Sequence, residues 1–232
     1  MADDYRFALI VGAGTGLSAS LARTFAGAGM HIALAARNAD KLAPLAEETG
    51  GRTFRCDALD PADVEALFAA LDGDGGAPDV VVYNASYRTR GPFIELDPAE
   101  VQKSLLVSSF AGFLVAQAAA RRMVSSGRGA ILFTGASASV KGYAQSAPFA
   151  MGKFALRGLA QSMARELSPR GIHVAHFVID GGIRSARRPD PPDKPDSLLD
   201  PDAIAQTYLN VLRQPRSAWT WEVELRPWLE KF

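Results

Sequence analysis

The fold predicted for this chain of 232 residues is a doubly wound α/β sheet of about seven parallel strands with helices on both faces. Three observations carry it. Short, β-rich apolar runs alternate with longer helical patterns. Four of the runs are apolar nearly throughout, as strands buried on both faces must be. A glycine-rich turn joins the first run to the first helix.

The elements follow in order. The first strand is FALIVGA from Phe7, the second HIALAAR from His31, the third RTFRCDA from Arg52 and the fourth DVVVYNA from Asp79. A long helix pattern, SSFAGFLVAQAAARRM, starts at Ser108 and leads to the fifth strand, GAILFTG from Gly129. The stretch SAPFAMGKFALRGLAQSMAREL opens another long helix, and HVAHFVID from His173 and WTWEVEL from Trp219 complete the strands. Asp60-Pro61, Asp97-Pro98 and Asp200-Pro201 each mark a helix start. The carboxylate accepts from free N–H groups, and proline sits where its missing N–H does no harm. Residues 184–200, RSARRPDPPDKPDSLLD, are proline-rich and charged, which excludes regular structure; their place after the sixth strand favours a flap over the site, with a mere surface connection as the alternative. No repeat or linker divides the chain, so residues 1–232 read as a single domain.

Composition excludes several roles. Lys plus Arg and Asp plus Glu each total 25, so no nucleic-acid footprint is expected. The densest basic points, Arg121-Arg122 and Arg187-Arg188, read as solvated surface or as contacts to an anionic ligand. No apolar run reaches membrane-spanning length and no secretory signal appears. The single cysteine, Cys56, allows no internal disulfide and fits a reducing, cytoplasmic setting. His31, His173 and His176 lie in or beside strands, His173 and His176 on opposite faces by parity, and form no metal-ligand cluster.

The turn VGAGTG carries the first chemical signal. Gly12, Gly14 and Gly16 let the backbone turn tightly and approach a pyrophosphate, and the following helix offers N–H groups and a positive dipole end. This places a dinucleotide at a Rossmann-type sheet. The second strand ends in Ala36-Arg37 where a ribose-binding carboxylate would favour NAD. Arginine faces a 2′-phosphate better, so NADP (NADPH) is the expected cofactor.

These residues together resemble the short-chain dehydrogenase/reductase family, from Phe7 to about Leu225. Its Thr-Gly-x-x-x-Gly-x-Gly loop appears as Val11 to Ser18, with Ser18 at the last glycine. By this resemblance Gly12, Gly14, Thr15, Gly16 and Leu17 cradle the cofactor. Asp57 and Ala58 flank its adenine, and Asn84, Ala85 and Ser86 match the Asn-Ala-Gly after the fourth strand. Gly181 and Ile183 lie beside the nicotinamide, with Asp180 standing for the family's proline, and Lys153 bonds the nicotinamide ribose. The resemblance also implies a homodimer or homotetramer, to which the small-residue helix faces and Trp219, Trp221 and Trp228 could contribute.

The family's catalytic Asn, Ser, Tyr and Lys align with Ser108, Ala136, Phe149 and Lys153. Only the lysine is kept. A phenol beside a lysine ammonium supplies the proton that carbonyl reduction needs, and serine polarises the carbonyl. Phe149 and Ala136 do neither. Tyr143, in the loop TGASASVKGYAQSAPF, is the candidate replacement acid, with packing of its ring as the competing reading. Two functions therefore stay open: an NADP-dependent oxidoreductase with an altered site, reducing an activated C=C bond or a quinone-like acceptor, or a non-catalytic NADP-binding sensor or scaffold. The substrate is an unidentified small molecule.

Overall fold

The computed structural model describes residues 5–73 and 76–230. Seven parallel strands form one sheet in the order β3-β2-β1-β4-β5-β6-β7. They are β1 (Phe7–Val11), β2 (His31–Ala36), β3 (Arg52–Arg55), β4 (Val80–Tyr83), β5 (Gly129–Thr134), β6 (Ile172–Ile179) and β7 (Glu222–Leu225). Every residue of β4, β5 and β6 is buried, so these strands carry no alternating polar face. The strand order reverses between β1 and β4, which opens a crevice at their carboxyl ends.

Helices cover both faces. On one side α1 (Leu17–Gly27), α2 (Ala43–Thr49) and α7 (Pro201–Leu212) bury Phe25, Leu45 and Tyr208 against Ile10, Leu34 and Phe177. On the other, α3 (Pro61–Gly73), α5 (Ala111–Ser126) and α6 (Ala147–Leu167) bury Phe68, Val115 and Leu156 against Leu9, Val81 and Ile131. The three expected caps are made: Asp60 accepts from the Ala62 N–H at 2.9 Å, Asp97 from Ala99 at 3.0 Å and Asp200 from Asp202 at 2.9 Å.

The structure departs from the sequence reading in three places. The helix expected from Ser108 begins earlier, as α4 (Pro98–Leu105), and reaches α5 through a wider π turn at Leu106–Phe110. That continuous helix, Pro98–Ser126, is long and apolar enough by length and composition to cross a membrane, contrary to the expectation that no run reaches that length. Here its apolar side, including Val115, Ala116 and Ala119, packs into the core. The seventh strand is shorter than expected. Trp219 instead stacks on His173, ring centroids 4.6 Å apart, and Thr220 bonds Gln214, so the pairing starts at Glu222. Trp221 joins the core, and Trp228 is exposed.

Residues 184–200 contain no helix or strand, as their prolines require. They are nevertheless tied down. Ile183 bridges to Leu199, and Arg184 pairs with Asp190 at 3.1 Å and with Asp200 at 2.6 Å.

Candidate active site

Two adjoining clefts lie at the carboxyl ends of the strands. The first, of about 310 Å³, straddles the reversal point and is lined by Gly12, Arg37, Asp57, Ala58, Asn84 and Ala85 among others. Gly12 is fixed twice over. Its φ is +80°, and a Cβ there would stand 2.5 Å from the Ala85 nitrogen. Gly14 and Gly16 differ: a Cβ at either would meet nothing within 4 Å, so the loop stands open on its outer side. Helix α1 starts at Leu17 behind Gly16, which offers no side-chain cap, and has no acidic residue in its first turn, which leaves its dipole end free for an anion. Gly14 and Thr15 line a smaller neighbouring pocket with Arg23 and Lys41.

Ser18 explains how the loop works without its last glycine. Its hydroxyl donates to the Gly12 carbonyl at 3.2 Å and accepts from the Asn84 amide at 2.8 Å. The loops after β1 and β4 are thereby bonded to each other. Cys56 lies beside this cleft, and burial pushes its thiol up to about 11, so it stays protonated and unreactive.

The second cleft, of about 710 Å³, holds Leu17, Asn84, Ser86, Gly181, Ile183 and Lys153, together with Ala136, Tyr143 and Phe149. Lys153 is only 3% exposed, and its ammonium donates to the Thr134 carbonyl at 2.7 Å. Burial lowers its pKa to about 8. The Phe149 ring lies one helical turn away, its centroid 5.8 Å from the Lys153 Nζ. Tyr143 is half exposed on the wall of the same cleft. Tyr208, by contrast, bonds the Thr134 hydroxyl at 2.9 Å but is wholly buried and does not line the cleft.

Ser108 stands behind this wall. It is wholly buried in the π turn and bonds the Tyr87 backbone at 3.4 Å, helped by Ser104 at 3.0 Å. Gly152 permits the approach, because a Cβ there would come within 2.7 Å of the Ser108 Cβ. Among the other loop hydroxyls and amines, Ser137 and Ser146 line the cleft. Lys141 turns to Asp180 at 2.9 Å, and Asp180 also receives Arg226 at 3.1 Å.

A buried relay supports the floor of the cleft. The Ala136 N–H donates to Ser139 Oγ at 3.1 Å, Ser139 Oγ meets His176 Nε2 at 3.2 Å, and His176 Nδ1 meets Glu222 at 3.1 Å. Arg157 closes the chain with a two-pronged bond to Glu222, at 2.6 and 2.8 Å. Burial outweighs the pull of Glu222 and lowers the His176 pKa to about 4. The ring is therefore neutral at pH 7, with Nδ1–H donating to Glu222 and Nε2 accepting from Ser139.

The short chain dehydrogenase family model matches residues 6–189. The chain belongs to the short-chain dehydrogenase family. It is 31% identical over 176 residues to the D-threitol dehydrogenase of Mycolicibacterium smegmatis, spanning 74% of this chain and 68% of that one. A short-chain dehydrogenase from Rhodopseudomonas palustris has the same architecture, with 37% identity and a TM-score of 0.83, covering 96% of this chain and 99% of that one. A metagenomic short-chain oxidoreductase in complex with NADP is 26% identical, with a TM-score of 0.83 over 97% of this chain and 98% of that one.

This short-chain dehydrogenase also carries cleft residues that the sequence reading passed over. Arg88 and Arg90, in the stretch YRTR after β4, line the second cleft with Arg188 and Glu230. The alternate spacing of two arginines next to Asn84 was the available signal. The Ser139–His176–Glu222 relay left no local signal, since its members lie 37 and 46 residues apart in sequence.

Proposed function

We propose that this short-chain dehydrogenase is an NADP(H)-dependent reductase with an altered proton-transfer site, acting on an activated C=C bond or a quinone-like acceptor. One observation carries the reading. The cleft around Lys153 presents a phenyl ring at Phe149 and a methyl group at Ala136, the positions that by resemblance align with the family's general acid and carbonyl-polarising hydroxyl. General acid catalysis and a single oxyanion donor are each worth on the order of 10²–10³-fold in rate, so plain ketone reduction by the usual route loses most of its assistance. Acceptors whose reduced product is a stabilised enolate or hydroquinone anion depend less on an enzyme acid.

The residues present fit the dinucleotide. The open Gly14–Gly16 loop and the uncapped start of α1 suit the pyrophosphate, Arg37 suits a 2′-phosphate, and Lys153 suits the nicotinamide ribose. The bound dinucleotide supplies the hydride. Tyr143 on the cleft wall is the candidate proton donor, and Ser108 supports the wall from behind. The polyol named for the Mycolicibacterium relative points to small oxygenated substrates, and the missing phenol argues against an ordinary polyol in this chain. Phe110 in the π turn, Phe113 on α5, and Met151 and Phe154 on α6 are exposed, which supports a homodimer through this face.

Fluorescence titration with NADPH and NADH, followed by a screen of ketones, enones and quinones, tests the reading. NADPH is expected to bind about tenfold or more tightly than NADH, since Arg37 adds a charge-assisted bond. Enones or quinones should oxidise it, and ketones should not. Tight binding with no turnover on any class would favour the non-catalytic sensor. No binding of either nucleotide would remove both readings. The Phe149→Tyr/Ala136→Ser variant should gain ketone reduction, and its failure to do so would place the obstruction elsewhere in the cleft.

A further inference from the structure

The cleft around Lys153 is unevenly charged. Four cations line it, Arg88, Arg90, Lys153 and Arg188, against two carboxylates, Asp180 and Glu230. Asp180 is already occupied by Lys141 and Arg226. Among the described residues, Arg88, Arg90 and Arg188 enter no ion pair. Arg188 packs its guanidinium on Gly182, its Cζ within 2.5 Å of where a Cβ would stand, next to Gly181 and Ile183. Arg88 stands across the cleft in the loop after β4, its Cζ 5.0 Å from the centroid of the Phe149 ring. Burial first, and then the charges of Arg90 and Arg188, push the Arg88 guanidinium below its ordinary value, so the three cations feel one another.

Such a gathering leaves Glu230, among the described residues, as the one unoccupied carboxylate of the cleft against three unpaired guanidinium groups, and so presents a net positive face to an incoming anion. A guanidinium offers five N–H donors in one plane and matches a carboxylate or a phosphate with two parallel bonds. An aromatic face engages the flat side of the guanidinium and leaves its N–H edge outward. Phenylalanine provides that face and, lacking a hydroxyl, makes no competing polar contact. The residue at position 149 thus has a positive role, as the surface on which Arg88 rests.

We propose that Arg88, Arg90 and Arg188 bind an anionic group, a carboxylate or a phosphate, carried by the substrate, with Phe149 orienting Arg88. The proposal rests on the reading of this cleft as the place of reaction, and it narrows the acceptor to an anionic compound.

Benzoate, phenyl phosphate and the neutral benzyl alcohol can be titrated calorimetrically into the NADPH-saturated protein. At least one anionic probe should bind about tenfold or more tightly than benzyl alcohol, because a hydrogen bond to a charged group is worth about that factor. Benzoate against phenyl phosphate separates the two anion classes. Added salt should erode the preference. Arg88→Gln/Arg90→Gln, at two exposed side chains, should abolish it while leaving NADPH affinity unchanged. Equal binding of charged and neutral probes would overturn the proposal, as would a double variant that keeps the preference. Loss of NADPH affinity in the double variant would also overturn it, by assigning these arginines to the phosphates of the cofactor. If the unmodified protein binds no NADPH, the functional reading fails instead, and the same probes titrated into nucleotide-free protein still decide the anion site.

Discussion

His176 sits on β6 with its ring wholly out of solvent and both nitrogens bonded. Its folded pKa, about 4, lies below the free value of 6.5, so the folded chain binds fewer protons between those values than the unfolded chain does. Stability from this group is complete above pH 6.5 and is lost as the pH falls toward 4. Denaturant unfolding at pH 7 and pH 5 should therefore show a larger loss for the native sequence than for His176→Gln. Equal losses would remove His176 as a determinant. At pH 7, Ser139→Ala should cost about 1–3 kcal/mol by leaving the Ala136 N–H and the His176 ring nitrogen unpaired. Sequence parity sends His173 and His176 to opposite faces, and it says nothing of what waits on each face. Ser139 and Glu222 reach His176 only through the β5–β6–β7 stacking of the sheet, which is why this relay was not legible in the sequence.

Asp200 joins two jobs at one helix start. One oxygen caps α7 through the Asp202 N–H, and the other pairs with Arg184 at the near end of the proline-rich segment. Asp200→Ala should cost about 1 kcal/mol of stability through the lost cap, or about 2–4 °C in Tm. It should also speed tryptic cleavage after Arg184 and Arg187, since the bonds after Arg188 and Lys194 precede proline and resist trypsin. Asp97→Ala removes an equivalent cap on α4 and should lower Tm alike without opening that segment, so equal proteolysis of the two variants would break the link. The caps and most strands were legible, because a carboxylate before proline and an unbroken apolar run are each local and each has one economical solution. The π turn at Leu106–Phe110 was not. It arises where Ser104 and Ser108 hold the Tyr87 backbone across the helix, a tertiary demand absent from the run of small apolar residues.

Phe113 and Phe154 lie on neighbouring helices and are 39% and 44% exposed, too much aromatic surface for helices that only cover a sheet. If the proposed homodimer forms through these helices, the native sequence should sediment as a dimer and Phe113→Glu/Phe154→Glu as a monomer, and an unchanged profile would place any subunit contact elsewhere. The doubly wound parallel sheet was readable from the alternation of patterns together with the glycine turn, since right-handed crossovers leave few other arrangements. The charge of the cleft was not, because Arg88, Arg90 and Arg188 come from loops nearly a hundred residues apart and meet only once the sheet has closed. That closure has its tightest point where Gly12 touches Ala85. The backbone there is shared property: the loop after β1 can accept no side chain at Gly12 unless the loop after β4 withdraws. A molecule lodged above this contact grips both loops at once, and its occupancy raises the stability of the folded sheet by mass action.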